Sequence, residues 1–240
     1  MIAVFINCGA IIFGSLLGLL FAKKITDSIT TVVTGAAGLV TLVLGFQMAF
    51  GYTNIIYVTI SLMIGGLLGT KWDIEGKILL FGKFLERKLY IEKKNEGNKS
   101  TPFAFAFLNA SVLFCVGAMA IVGSFKAGIE GDYTIIFTKS VLDGFMAIVF
   151  TSAMGIGTAF SAISIFIYQG LLTLASKWVA PYVSELMISE VSAVGGILII
   201  MIGINLLDIK KLKTANYLPA IILMVLFVLA DPFIKQFVTF

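Results

Sequence analysis

The chain has 240 residues, 59% of them hydrophobic and 12% charged, with a formal net charge of +4. Soluble domains average about 45–50% and about 25% on those two scales, and a mean hydropathy of +1.06 leaves little surface for water. An ordinary soluble domain is therefore excluded, and the chain is expected to fold as one all-α polytopic membrane bundle.

At about 20 residues per crossing, eight transmembrane helices are expected. They lie near 2–22, 30–50, 53–70, 102–124, 133–154, 158–176, 186–207 and 215–237. The first has no basic leader and no small-residue cleavage site, so it is expected to be retained as a span. The fifth and sixth are joined only by "GIGT" at 155–158, and they either cross fully or form a re-entrant hairpin. The chain divides into spans 1–3 (residues 1–70), a polar segment (71–101) and spans 4–8 (102–240).

Ile74, Ile78, Phe81 and Leu85 recur at helical spacing within the polar segment, with lysines and Arg87 around them. That pattern predicts an interfacial amphipathic helix on the inner surface, followed by a disordered linker. Thirteen of the 17 basic residues fall on one side if the N-terminus is outside, which places both termini outside the membrane. Basic residues that flank apolar segments make the lipid bilayer the partner, and not nucleic acid. Cys8 and Cys115 are isolated within spans and suggest neither a disulfide framework nor a zinc site.

Two pairs of segments echo each other. "GAAGLVTLVLGFQM" (35–48) aligns with "AVGGILIIMIGINL" (193–206), matching Gly38 to Gly196, Gly45 to Gly203 and Gln47 to Asn205. "VGAMAIV" from Val116 and "DGFMAIV" from Asp143 share Gly-x-Met-Ala-Ile-Val. In each pair the two spans run in opposite directions, as in the inverted repeats of secondary transporters; chance likeness of glycine-containing apolar helices is the alternative.

Lys139 and Asp143 stand near the middle of the fifth span, where each charge costs about 2.5–3.5 kcal/mol to insert. Four residues apart, they share a helix face and can pair. The functional reading makes Asp143 a cation or proton site with Lys139 as its counter-ion or a competitor for it; the structural one makes them a buried pair that orients helices, or lets Lys139 snorkel outward. The amides Asn7, Asn109 and Gln169 either join helices or line a wet cavity with Asp143. Glu190 lies one turn inside the seventh span, where a helix-start carboxylate is the competing role. Gly14, Gly18, Gly65, Gly69, Gly117, Gly196 and Gly203 are read as close-packing positions, within the bundle or between copies in a homo-oligomer. No histidine, phosphate-binding glycine loop, metal-ligand cluster or cofactor motif is present in the sequence, so the chain does not read as an enzyme.

"INCGAIIFGSLLG", "LFCVGAMAIVGS", "TKSVLDGF", "IYQG" and "AVGGILIIMIGINLL", in this order, resemble the bacterial YdfK/YqgA-like inner-membrane family, a domain of unknown function. The resemblance implies a bacterial cytoplasmic-membrane protein and brings no substrate and no site residue. The residues themselves favour an ion-coupled secondary transporter of a small solute or ion. A passive channel, or a non-transporting scaffold or sensor acting through 71–101, are the alternatives.

Overall fold

The structure, a computed structural model of the chain, describes residues 1–22, 27–88 and 102–237. Ten α-helices carry the described fold: α1 (Ile2–Ala22), α2 (Asp27–Ala49), α3 (Ile55–Lys71), α4 (Ile74–Lys88), α5 (Pro102–Cys115), α6 (Ala118–Ile129), α7 (Thr134–Met154), α8 (Gly157–Val179), α9 (Glu185–Leu206) and α10 (Pro219–Phe237). Among the described residues six helices are long and apolar enough to cross a bilayer unaided, and two bent pairs, α3 with α4 and α5 with α6, bring the number to as many as eight. The expected disordered linker at 89–101 lies outside the described residues, as do Lys23 and Lys24.

Where the chain departs from a row of straight spans, single residues are responsible. The helix expected over 102–124 is two helices meeting at a 60° bend. Gly117 carries the break, with φ +134° and ψ 153°, a conformation closed to other residues. The seventh and eighth helices have 21 and 23 residues, so both are of crossing length and not a short re-entrant pair. Between α3 and α4 the chain bends by 55° at Trp72 and Asp73, the latter with φ +47°. The amphipathic helix α4 packs one face on the bundle and leaves Leu80, Phe81 and Phe84 exposed. Gly82 of α4 rests on Ala104 of α5, and Ile78 and Leu79 pack against the main core.

At the centre stands α9, with 67% of its apolar stretch buried against 28% for α2. On the outside, Phe13, Val43, Leu67 and Phe145 are each more than 60% exposed, which in a bilayer is contact with acyl chains. Glycines let the main seams close, since backbones approach where no side chain intervenes. Gly14 faces the backbone of Gly144 and Gly18 that of Ile148, so α1 and α7 run parallel. Gly65 meets Ala220 and Gly69 meets Asn216, so α3 and α10 run antiparallel. Gly38 and Gly45 meet Gly203 and Gly196, so α2 and α9 also run antiparallel. Gly117 differs from these. A Cβ there would find only the Met48 methyl at 3.5 Å, so its glycine serves the backbone turn and not a helix seam.

Candidate functional site

Three helices bring four of the polar side chains into one cluster. The i,i+4 spacing on α7 lets the Lys139 ammonium pair with Asp143 Oδ2. From α1, the Asn7 amide nitrogen donates to that same carboxylate oxygen at 3.1 Å and to Gln169 Oε1 of α8 at 3.0 Å. Asn7 and Gln169 are fully buried, and Lys139 and Asp143 are 5% and 7% exposed. The parallel seam at Gly14 and Gly144 makes this possible, because it draws α1 close enough for a short asparagine to reach α7.

The cluster is charge-balanced yet incompletely bonded. Asn7 Oδ1 and Gln169 Nε2 are buried with no hydrogen-bond partner, one an acceptor and the other a donor. A lone polar group sealed in an apolar bundle costs free energy, so such atoms mark places that a water, an ion or a solute completes. The broken span is close by. Cys115, the last residue of α5, and Val116 pack against the core that holds Ala147 and Phe150 of α7. Gly123 lies beside Ile135 and Ile136 and Phe114 lies against Phe150 at 6.4 Å, so Gly117 and Gly144 both fall between the same two contacts.

Two of the sequence-selected residues stand elsewhere. The Asn109 amide nitrogen donates to the Phe105 carbonyl of its own helix at 3.0 Å, which joins it to no neighbouring span. Glu190 is fully buried, and its Oε1 accepts from the amides of Thr53 and Asn54 at 2.8 and 2.7 Å. It therefore ties α9 to the turn before α3, whose first amides, Ile56 and Tyr57, are in turn capped by Asn54 Oδ1. Ser189 adds a bond to the Gly51 carbonyl. Hydrogen bonds to charged groups are worth about 1.5–3 kcal/mol each, so Glu190→Ala is expected to cost about 3 kcal/mol, and Glu190→Gln, which keeps an acceptor, about half of that. Thermal unfolding in detergent with proteolysis at 50–54 checks this; an unchanged midpoint and unchanged cleavage for Glu190→Ala would remove the clamp.

A matching clamp at the other end is not evident from the sequence. Glu75 of α4 donates its backbone amide to Asn216 Oδ1 at 2.9 Å, and its carboxylate accepts from the Ala215 amide at 3.1 Å. Asn205 holds both the amide and the carbonyl of Leu212, folding the turn after α9. Its sequence counterpart Gln47 is exposed, so the amide match between 47 and 205 has no equivalent contact. Around these groups a cavity of about 430 Å³ is lined by Glu75, Asn205, Asp208, Lys211 and Lys213.

The chain belongs to the family described as protein of unknown function DUF554, which matches residues 2–229. It is 34% identical over 222 residues to the uncharacterized membrane protein YdfK of Bacillus subtilis strain 168, covering 90% of this chain and 91% of the relative. It is 28% identical over 219 residues to the uncharacterized protein YqgA of Escherichia coli K12, covering 91% and 92%. No solved structure matches.

Proposed function

We propose that this member of the DUF554 family is an ion-coupled secondary transporter of a small solute or ion in the bacterial cell membrane. The observation that carries the reading is the buried cluster. Three helices converge on a carboxylate, its ammonium partner and two amides in mid-helix, beside a broken span. Ionisable groups so deep in a membrane protein usually serve ion or substrate passage, and discontinuous helices at mid-depth are a recurrent feature of carriers. Asp143 alternates between its Lys139-paired form and a cation-bound or protonated form, and helix rocking exposes it to each side in turn.

Contacts across the α2–α9 seam support inverted halves. A Cβ on Gly38 would lie 3.3 Å from the Gly203 carbonyl and one on Gly203 3.1 Å from that of Gly38. For Gly45 and Gly196 the two values are 2.9 and 2.6 Å. Matching Gly38 to Gly196 and Gly45 to Gly203 turns the first contact into the second. Such exchange is what a two-fold axis between two antiparallel copies produces. The α1–α7 seam likewise has a counterpart in α8, which runs parallel to α5 and α6 and meets them at Gly157 and Gly128.

The parallel course of α1 and α7, with α7 to α10 alternating, supports putting the start of α1 and the end of α10 on one side. The charge bias supports reading that side as the outer one. The exposed apolar faces are assigned to lipid or to a homo-oligomer contact. The test is a screen of radiolabelled solutes and ions on proteoliposomes. Saturable uptake driven by an imposed proton or cation gradient is expected. Non-saturating conductance would make the protein a channel, and no flux of any kind, with a partner retained on 71–101, would make it a scaffold.

A further inference from the structure

The second sequence echo meets the structure at one place. Aligning "VGAMAIV" with "DGFMAIV" pairs Val116 with Asp143 and Gly117 with Gly144. Both glycines fall between the same two contacts of these spans, Gly123 beside Ile135 and Ile136 and Phe114 against Phe150. Two antiparallel helices related by a two-fold axis must cross it at equivalent residues, and Gly117 and Gly144 lie in the stretch where these two spans pass each other. At these equivalent points the backbones differ. Span four is bent by 60°, with Val116 outside any helix and Gly117 at φ +134°, whereas α7 runs unbroken through Asp143 and Gly144.

Inverted halves that take unequal conformations exchange them when the carrier turns over. We propose that in the opposite-facing state α7 breaks at Asp143 and Gly144 while span four closes into one helix, and that this break releases Asp143 from Lys139 to take a cation or a proton. The pairing of Lys139 with Asp143 exists because both lie on one continuous helix face, four residues apart. An Asp143 that takes the non-helical place of Val116 leaves that face. Asn7 Oδ1, buried and unpartnered in the present state, is then a neutral oxygen beside the freed carboxylate for the ion. The inference rests on the transporter reading for its purpose, but its geometry is testable without any solute.

A methyl group fits freely at Gly117, and at Gly144 it requires α1 to give by a few tenths of an ångström. At Gly117 a Cβ meets only Met48 at 3.5 Å, and at Gly144 its nearest contact is the Ala10 carbonyl at 3.3 Å. Alanine at 117 therefore acts through φ alone and disfavours the bent span, while alanine at 144 favours continuous helix in α7. The 12 residues of α6 are about 18 Å long, so removing the 60° bend swings its far end by about 18 Å. Spin labels at Glu130, beyond α6, and at the exposed Phe50 report this in the full chain in nanodiscs, with both native cysteines changed to serine.

Gly117→Ala is expected to enrich a second distance component about tenfold, the population change that strain of this kind produces. Adding Gly144→Ala should return the distribution to the starting one. Should Gly117→Ala fail to fold, Lys139→Met with Asp143→Gly must enrich the same component by weakening helix at the other break point. An unchanged distribution, or shifts in the same direction from alanine at 117 and at 144, would overturn the exchange. Opposed shifts in a protein that moves no solute would instead uphold the exchange and sink the transporter.

Discussion

Replacing Lys139 by Met and Asp143 by Leu together is expected to leave the bundle as stable as the native chain and to abolish its response to cations. Removing a buried ion pair as a unit, with apolar residues of similar size, is often neutral or stabilising. The structure gives a second reason. Asn7 loses its bond to Asp143 but keeps the one to Gln169 at 3.0 Å, so its amide nitrogen retains a partner. The single change Asp143→Leu leaves the ammonium of Lys139, 5% exposed, without its carboxylate. Breaking a buried pair in this way costs about 3–5 kcal/mol. Thermal unfolding of the two variants separates the cases: the single change should lower the midpoint and the double change restore it. A double variant as unstable as the single one would mean that the pair is structural.

Gly14→Leu is the substitution expected to damage the fold most. A Cβ at this position would overlap the Gly144 carbonyl, a backbone group that cannot rotate away. Overpacking usually costs about 1–3 kcal/mol, and the upper end applies where the obstacle is backbone. Because this seam also delivers Asn7 to Asp143, the cluster should come apart with it. Gly9→Leu on the same helix is the control, since nothing lies within 4 Å of a Cβ there. Equal melting of both variants would remove α1 from its assigned place on α7.

How far the sequence led depends on whether the deciding contact was local. Lys139 and Asp143 sit four apart on one helix, so their pairing is legible from spacing alone. Asn7 and Gln169 stand out as amides in apolar spans, but their meeting is made by helix seams linking residues 162 apart. Asn109 looks the same in sequence, yet its amide nitrogen turns back to Phe105 of its own helix and its Oδ1 is left without a partner. Glu190 finds its partners in a turn 136 and 137 residues away, and nothing nearby announces them. The Gly117 break was hidden for a different reason. No proline marks it, and Ala110, Gly117 and Ser124 recur every seven residues as they would on one straight helix. Only its positive φ distinguishes a glycine that turns the chain from one that lets helices touch.

The most direct test of Asp143 as the coupling site needs no knowledge of the solute. Proteoliposomes adsorbed on a solid-supported membrane are exposed to steps in pH, sodium and potassium, and the charge displaced on ion binding is recorded. The native chain should give a saturable transient current for one of these ions. The Lys139→Met, Asp143→Leu variant, equally folded, should give none. Currents of the same size and midpoint in both proteins would contradict the assignment of Asp143.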